Sequence, residues 1–255
     1  MCIRDSCLSK FSRYAAVIVV LFSVSYFSYW RGGISIKEVF SDIIVEAPLG
    51  SRTKLTLPDG TLVWLNAGSR ITYSQGFGVG NRKIELIGEG YFEVKRNEEV
   101  PFLVKTNSLL VKVLGTKFNF RDYPDDAEAI VSLSEGKVAL NNLLKKEKEA
   151  FLLPNERVVL NKKNGRMHVE YSTVSNALQW TNGYLFFDEE LLPDVVKELE
   201  RSYNVKIQIA SDTLNTFRFY GNFVHREQNI QEVLEALSAT RKIHYIIEGH
   251  NITLY

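Results

Sequence analysis

The residue types that most often carry out chemistry are sparse in this sequence. Its four histidines are scattered, and even the two nearest neighbours lack the spacing of metal ligands: His168, His225, His244 and His250. Both cysteines, Cys2 and Cys7, lie near the start, so the rest of the chain can form neither a disulfide nor a cysteine-based metal site. No serine has a G-x-S-x-G context, and no acidic pair stands apart from ordinary surface charge. The sequence therefore predicts no catalytic residue, no metal site and no cofactor.

One glycine-rich segment, 76–80, invites comparison with loops that hold phosphate groups. A P-loop requires a lysine followed by serine or threonine, and a dinucleotide-binding loop requires a following helix. Here 81–83 leads directly into another strand pattern, so we predict a flexible hairpin connection. Three acid–glycine pairs have uneven spacing and so form no repeat: Asp59-Gly60, Glu89-Gly90 and Glu135-Gly136. We interpret all three as hairpin turns at which glycine supplies a positive φ.

Composition is typical of a globular protein with one or two hydrophobic cores. Of the 255 residues, 45% are hydrophobic and 24% are charged, and the formal net charge is +1. This near-neutral balance gives no support to nucleic-acid binding through bulk electrostatics.

An apolar segment without charge begins at Tyr14 and ends at Trp30. As a helix it would span roughly 26 Å at ~1.5 Å per residue, slightly less than the ~30 Å hydrocarbon core of a bilayer. Local thinning of the bilayer and a snorkelling Arg31 make up this difference. Lys10 and Arg13 precede the segment without an intervening acid, which favours a cytoplasmic N-terminus. The sequence thus indicates a membrane anchor that involves Tyr14, Trp30 and Arg31.

We therefore predict a short cytoplasmic tail over 1–13, a single transmembrane helix over 14–31 and a periplasmic bulk beyond the inner membrane. A secretory signal peptide is one alternative, since three small residues mimic a cleavage site: Ser23, Ser25 and Ser28. The bulky aromatic residues among them favour an interfacial anchor instead. A buried core helix is the other alternative, and the lack of a polar face disfavours it.

The next part of the chain has the pattern of an all-β protein. Residues 32–46 are predicted to be a linker, and 47–170 to be an all-β sandwich or roll, because short apolar runs alternate with turn signals such as Pro58-Asp59-Gly60. The predicted strands are 54–57, 61–65, 70–74, 84–87, 91–95, 102–105, 109–114, 129–133, 137–140 and 157–160.

The pattern changes to a small α/β domain over 181–255. A strand at 183–187 leads to a helix over 190–203, in which apolar residues recur every three or four positions. Strands follow at 205–209 and 217–224. A second helix begins at Asn229 with Glu232 as its capping-box partner, and strands at 243–248 and 251–255 complete the domain. The order β-α-β-β-α-β-β predicts one small sheet with two helices on one face.

Four segments closely resemble the FecR family of inner-membrane sigma-factor regulators. They are 57–69 (LPDGTLVWLNAGS), 82–94 (RKIELIGEGYFEV), 113–120 (VLGTKFNF) and, more weakly, 134–138 (SEGKV). Each alone fits ordinary hairpin sequence, whereas together they are specific. The part from Trp180 and Gly183 to the end is similar to the small α/β domain that closes family members in Bacteroidetes-type bacteria.

This resemblance implies a signalling protein with no catalytic role. In such systems an outer-membrane TonB-dependent transporter senses a substrate, often a ferric siderophore or a glycan, and its periplasmic signalling domain contacts the C-terminal region of the FecR-like protein. The message then controls an extracytoplasmic-function (ECF) sigma factor across the inner membrane. Family members bind the sigma factor through a helical cytoplasmic segment of several dozen residues. Only 1–13 precede the anchor here, so we expect that the natural N-terminal region is longer.

A signalling role requires a docking surface, which we predict on the C-terminal domain. Along 217–224, one face carries phenylalanines and the other presents Arg218, Tyr220 and Asn222. Tyrosine is often enriched at the centre of interfaces, so this second face is the predicted partner-binding surface. A solvated outer face of an amphipathic strand is the competing interpretation.

A membrane-tethered carbohydrate-binding β module is the alternative function. Trp64, Tyr73 and Tyr91 would then line a sugar platform, although aromatic residues in strands are more often core residues or cross-strand pairs. An envelope hydrolase is a third class, and the sequence offers it neither a nucleophile motif nor a metal motif.

Overall fold

A computed structural model describes residues 17–30, 41–172, 177–225, 227–239 and 243–255. The chain divides into two compact units, Met1–Asp42 and Ile43–Tyr255. In the first unit, residues 17–30 form helix α1, and Trp30 at its end is 59% exposed. None of the described helices combines the length and the apolarity that crossing a bilayer requires. Tyr14 and Arg31, the other two predicted anchor residues, lie outside the described residues.

The β domain contains strands β1 to β13. They are β1 (Asp42–Ala47), β2 (Thr53–Thr56), β3 (Leu62–Leu65), β4 (Ser69–Ser74), β5 (Arg82–Glu93), β6 (Phe102–Lys105), β7 (Leu109–Val113), β8 (Lys117–Asp122), β9 (Glu128–Glu135), β10 (Val138–Asn142), β11 (Ala150–Leu152), β12 (Glu156–Asn161) and β13 (Met167–Tyr171).

Strand β5 belongs to both sheets of this domain. The first sheet has the order β11-β10-β7-β6-β5-β4-β1, and the second has the order β2-β3-β5-β8-β9-β12-β13. The N-terminal half of β5 pairs with β4 and β6, whereas its C-terminal half pairs with β3 and β8. The change of partners falls at Gly88, where φ is 97° and an added Cβ would lie 2.9 Å from the Cα of Ser69. Only glycine fits this position, which lets one strand pass from one sheet to the other.

The core lies between the two sheets. The rings of Phe92 and Phe118 stack at 5.1 Å, and Phe92 meets Phe102 of the first sheet at 6.3 Å. All three side chains are fully buried. The predicted sandwich is therefore confirmed, and an aromatic cluster joins its two layers.

The glycine signals were only partly interpreted correctly. Gly60 and Gly136 have the predicted positive φ, at 86° and 95°. The prediction of a third turn, at Glu89-Gly90, was wrong, because β5 runs without interruption from the predicted strand 84–87 into the predicted strand 91–95. The positive φ belongs to Gly88 instead, so the glycines mark a change of sheet and not a hairpin. Residues 76–80 do connect β4 to β5, which are antiparallel, as predicted.

Four strands were missed in the sequence: β1, β8, β11 and β13. β1 shows that the predicted linker over 32–46 was too long, since strand structure already begins at Asp42. β11 has only three residues, and β13 has no fully buried residue, so neither shows clear apolar alternation.

The C-terminal domain follows the predicted order of elements. Its elements are β14 (Tyr184–Leu191), α2 (Leu192–Tyr203), β15 (Lys206–Ile209), β16 (Arg218–Val224), α3 (Ile230–Ser238), β17 (Tyr245–Glu248) and β18 (Asn251–Leu254). The prediction of a single sheet was wrong: β14 and β16 form an antiparallel pair, and β15-β18-β17 form a separate sheet. Side-chain alternation determines which face of a strand is buried, and leaves open which strand is its neighbour.

The predicted cap of the second helix is confirmed. The Oδ1 of Asn229 accepts from the backbone N–H of Glu232 at 3.1 Å, and the carboxylate of Glu232 accepts from the N–H of Asn229 at 2.8 Å. This reciprocal pair satisfies two donors at the start of α3 and fixes where the helix begins.

Candidate functional site at the domain junction

The outer face of the second sheet is polar where the C-terminal domain covers it. In β8, Phe118 and Phe120 enter the core, and strand alternation directs Asn119 and Arg121 to the other face. Asn119 is nevertheless only 3% exposed. The C-terminal domain therefore buries polar groups that a free sheet would leave in water.

Glu89 lies at the centre of this junction. Its Oε1 accepts a hydrogen bond from Asn119 Nδ2 at 2.8 Å, and its Oε2 accepts one from Asn66 Nδ2 at 2.9 Å. Trp180 Nε1 donates to the Oδ1 of Asn119 at 3.1 Å. The same Nδ2 of Asn66 lies 3.5 Å from Glu198 Oε1 in α2. Glu89 is thus tied through two amides to the C-terminal domain.

Arg201 of α2 provides the main ionic link between the domains. Its Nη1 lies 3.0 Å from Asp126 Oδ1, and its Nη2 lies 3.3 Å from Glu198 Oε2. Its guanidinium also lies over the ring of Tyr123, 4.0 Å from the centroid. Arg121 completes the network, because its Nε donates to Asp126 Oδ2 at 2.8 Å. Two guanidiniums and two carboxylates therefore alternate across the junction, a geometry in which each charge is paired.

The carboxyl groups of the junction have divergent pKa values. Burial raises the pKa of Glu89 above its ordinary value, and the nearby Glu198 adds to this effect. Burial alone would also raise the pKa values of Asp126 and Glu198, but the charges of Arg121 and Arg201 outweigh it and hold both below their ordinary values. Ionised Asp126 and Glu198 thus stabilise the fold above their unfolded pKa values, and this stability is lost as the pH falls through the lowered ones.

Two clefts flank the junction. One has a volume of about 390 Å³, and its lining includes Glu89, Arg121, Trp180, Glu190 and Glu198. The other, of about 370 Å³, is also lined by Trp180 and reaches Arg52 and His225. Within the described parts of the chain, no three His, Cys, Asp or Glu side chains are grouped so as to hold a metal ion. The arrangement is that of a charged joint between domains.

The predicted partner-binding residues lie elsewhere, on β16. Arg218, Tyr220 and Asn222 are on its exposed face, and Phe219 and Phe223 are buried on the other. Arg218 Nη1 donates to the carbonyl of Glu189 at 2.6 Å, and the hydroxyl of Tyr220 donates to the Glu189 carboxylate. Glu189 has a positive φ of 56° at a bulge in β14. Two of the three residues therefore also hold this bulge in place.

The aromatic residues of the carbohydrate alternative do not form one platform. Trp64 and Tyr91 are a cross-strand pair of the second sheet, with ring centroids 5.3 Å apart. Lys54 Nζ lies 4.4 Å from the centroid of the Trp64 ring. Tyr73 is in β4 of the first sheet, where it packs edge-on against the buried Phe77 at 5.5 Å.

None of the residues of the junction network was predicted from the sequence to be a site residue. Two features of the sequence could have indicated them. Glu89 stands between two glycines in the middle of β5, and Glu198 and Arg201 lie three residues apart beside the apolar stripe of α2. Three of the segments that resemble the FecR family also meet here, since 57–69 supplies Asn66, 82–94 supplies Glu89 and 113–120 supplies Asn119.

Comparison with known proteins agrees with this architecture. The family model for FecR protein matches residues 44–139, and that for the FecR C-terminal domain matches 184–254. The chain is similar to two crystal structures of a candidate anti-sigma factor from Parabacteroides distasonis ATCC 8503, at 1.65 and 2.50 Å resolution. Each match has 33% identity and a TM-score of 0.77, and covers 84% of this chain and 98% or 99% of the other. No curated protein matches the chain. The two family-model matches and the 33% identity over 84% of the chain together show that this chain belongs to the FecR family.

Proposed function

We propose that the chain is a membrane-anchored, periplasm-facing regulator that relays a signal from an outer-membrane TonB-dependent transporter to an ECF sigma factor. The relay works by protein–protein contact and includes no catalytic step. Membership of the FecR family and similarity to a candidate anti-sigma factor support a regulator. The apolar segment over 14–30 supports the anchor, and a cytoplasmic segment preceding it would bind the sigma factor.

The observation that carries this proposal is the buried joint between the two domains. Arg201 of α2 reaches Asp126 of the β domain at 3.0 Å, and both side chains are only 7% exposed. Paired charges in a buried site tolerate little displacement, because separating them leaves each one unpaired. A partner that shifts the C-terminal domain must therefore also change its contacts with the β domain, and this links the docking surface to the part of the chain nearer the membrane.

We place the docking surface for the transporter's signalling domain on the exposed face of β16. Tyr220 is 64% exposed there, next to Arg218 and Asn222. A large aromatic side chain held in one orientation loses little conformational entropy on binding, which favours it as the centre of an interface. The hydrogen bond to Glu189 holds Tyr220 in this way.

Replacing Tyr220 by alanine is expected to weaken binding of the signalling domain about ten- to thirtyfold, the range of a central interface tyrosine. Tyr220→Phe keeps the ring and loses the hydrogen bond to Glu189 that orients it, so its affinity is expected to lie between that of Tyr220→Ala and that of the unaltered chain. Titration calorimetry with the full chain and the purified signalling domain measures both variants.

Tyr255→Ala is the matched control, because Tyr255 is also exposed but is paired with His244 beyond the last strand. We expect its affinity to equal that of the unaltered chain. If Tyr220→Ala binds as tightly as Tyr255→Ala, the signalling domain does not dock on this face.

A further inference from the structure

Two buried carboxyl groups, one from each domain, share a single hydrogen-bond donor. Asn66 Nδ2 lies 2.9 Å from Glu89 Oε2 in β5 and 3.5 Å from Glu198 Oε1 in α2. One amide nitrogen carries two N–H groups and can serve both oxygens. The two carboxyl groups are therefore close neighbours, and like charges this near disfavour simultaneous ionisation.

The cations of the junction are engaged with other carboxylates. Arg201 pairs with Asp126 and Glu198, at 3.0 and 3.3 Å. Arg121 donates to Asp126 at 2.8 Å and lies 3.9 Å from Glu198. The hydrogen bonds to the Glu89 carboxylate, by contrast, come from neutral amides. Of the three buried acids of the junction, Glu89, Asp126 and Glu198, Glu89 is therefore the one whose negative charge is offset least by nearby cations.

The charged and titratable groups around Glu89 come from several elements. Arg121 and Tyr123 lie in β8 and the loop after it, Glu198 and Arg201 in α2, and Arg52 in the segment before β2. The cleft beside Glu89 is also lined by further charged residues: Arg157, Asp188, Glu190 and Asp194. Arg52 Nε donates to Asn66 Oδ1 at 3.0 Å, which places its guanidinium beside the amide that donates to Glu89. Tyr123 is neutral, because burial raises the pKa of its hydroxyl well above the ordinary value.

We propose that Glu89 is a proton-binding site whose occupancy is coupled to docking of the C-terminal domain. In the docked state Glu89 keeps its proton beside ionised Glu198. When the domain separates, Glu198 moves away, water reaches Glu89, and its proton passes to water to leave a carboxylate. The raised pKa of Glu89 agrees with this geometry. Burial is its largest cause and Glu198 adds to it, and together they outweigh the charge of Arg121 and the two amide hydrogen bonds, which lower the pKa.

The sign of the pH dependence follows from linkage. Docked Glu89 binds its proton more tightly than a free carboxyl, whose pKa is near 4.5. The contribution of Glu89 to docking is therefore full below the pKa of the free carboxyl. It is lost as the pH rises from there to the raised pKa, by at most about tenfold per pH unit, and does not change further above it. Glu198 and Asp126 have lowered pKa values, so their protonation weakens docking as the pH falls. The junction is thus most stable in an interval between these two limits.

Infrared spectroscopy of the full chain with labelled glutamate tests the proposal directly, because a protonated carboxyl has its own carbonyl band. Glu190→Gln is the background for every sample, since burial also raises the pKa of Glu190. We expect a protonated-carboxyl band that persists well above pH 4.5, where free carboxyls are ionised, and that Glu89→Gln removes. Glu85→Gln, at an exposed position of the same strand, is the matched control and retains the band.

Urea unfolding over the same pH range measures the linkage. The ratio of folded to unfolded chain is expected to fall as the pH rises above 4.5 in the background protein, and Glu89→Gln is expected to lose this fall. Glu198→Gln removes the neighbouring charge, so it shifts the Glu89 titration to lower pH, and this variant tests the proposal even if Glu89→Gln does not fold. A band that is absent well above pH 4.5, survives there in Glu89→Gln or does not move in Glu198→Gln overturns the proposal.

Discussion

An Arg201→Ala variant is expected to lose about 3–5 kcal/mol of unfolding free energy, the usual cost of removing one partner from a buried ion pair. Arg201 is 6% exposed and contacts Asp126, Glu198 and the ring of Tyr123. Without it, Asp126 and Glu198 lose one of the guanidiniums that pair with them. Urea denaturation of the full chain in detergent, followed by circular dichroism, measures the loss.

Arg70→Ala is the matched control for this prediction. Arg70 pairs with Glu46 at 3.5 Å, and both side chains are largely exposed. An exposed pair contributes at most about 1 kcal/mol, so the control should remain close to the unaltered chain. Asp126→Ala and the double variant complete a cycle that gives the coupling energy. If Arg201→Ala costs no more than Arg70→Ala, the ionic network does not hold the domains together.

A Phe92→Ala variant is expected to lose about 3–5 kcal/mol as well, because it leaves a cavity where the two sheets meet. Phe92 is fully buried between Phe118 and Phe102. It also lies three residues from Glu89 on β5, so relaxation around the cavity would reach the junction. Thermal unfolding monitored by calorimetry gives the change in stability.

Phe151→Ala provides the comparison for this core residue. Phe151 is 51% exposed on the short strand β11, with Lys137 Nζ 4.5 Å from the centroid of its ring. Its loss removes little buried surface and should cost less than about 1 kcal/mol. Equal losses for the two variants would show that the aromatic cluster does not stabilise the sandwich.

Local features of the fold were predictable because their causes are local. The capping box at Asn229 depends on residues three apart, and the buried face of β16 depends on alternation of Phe219 and Phe223 with polar residues. The pairing of β15 with β18 depends on contacts between distant parts of the chain, and no periodicity encodes it.

The junction was missed for a related reason. Glu198 and Arg201 have the i, i+3 spacing of an ordinary surface pair on a helix, and only the position of Asp126 reveals them as buried. Glu89 was predicted to be a turn residue because Gly90 follows it, as a glycine follows Asp59 and Glu135. A glycine with a positive φ does occur here, at Gly88. It lies where β5 passes from one sheet to the other, and a single sequence does not distinguish such a position from a hairpin turn.

The proposed relay requires the domains beyond α1 to lie in the periplasm, and a topology reporter tests this most directly. We predict that alkaline phosphatase fused after Tyr255 of the full chain is active in cells, because this enzyme folds only where disulfides form. A matching cytoplasmic reporter at the same position should be inactive. An inactive phosphatase together with an active cytoplasmic reporter would place the docking surface on the wrong side of the membrane and contradict the account.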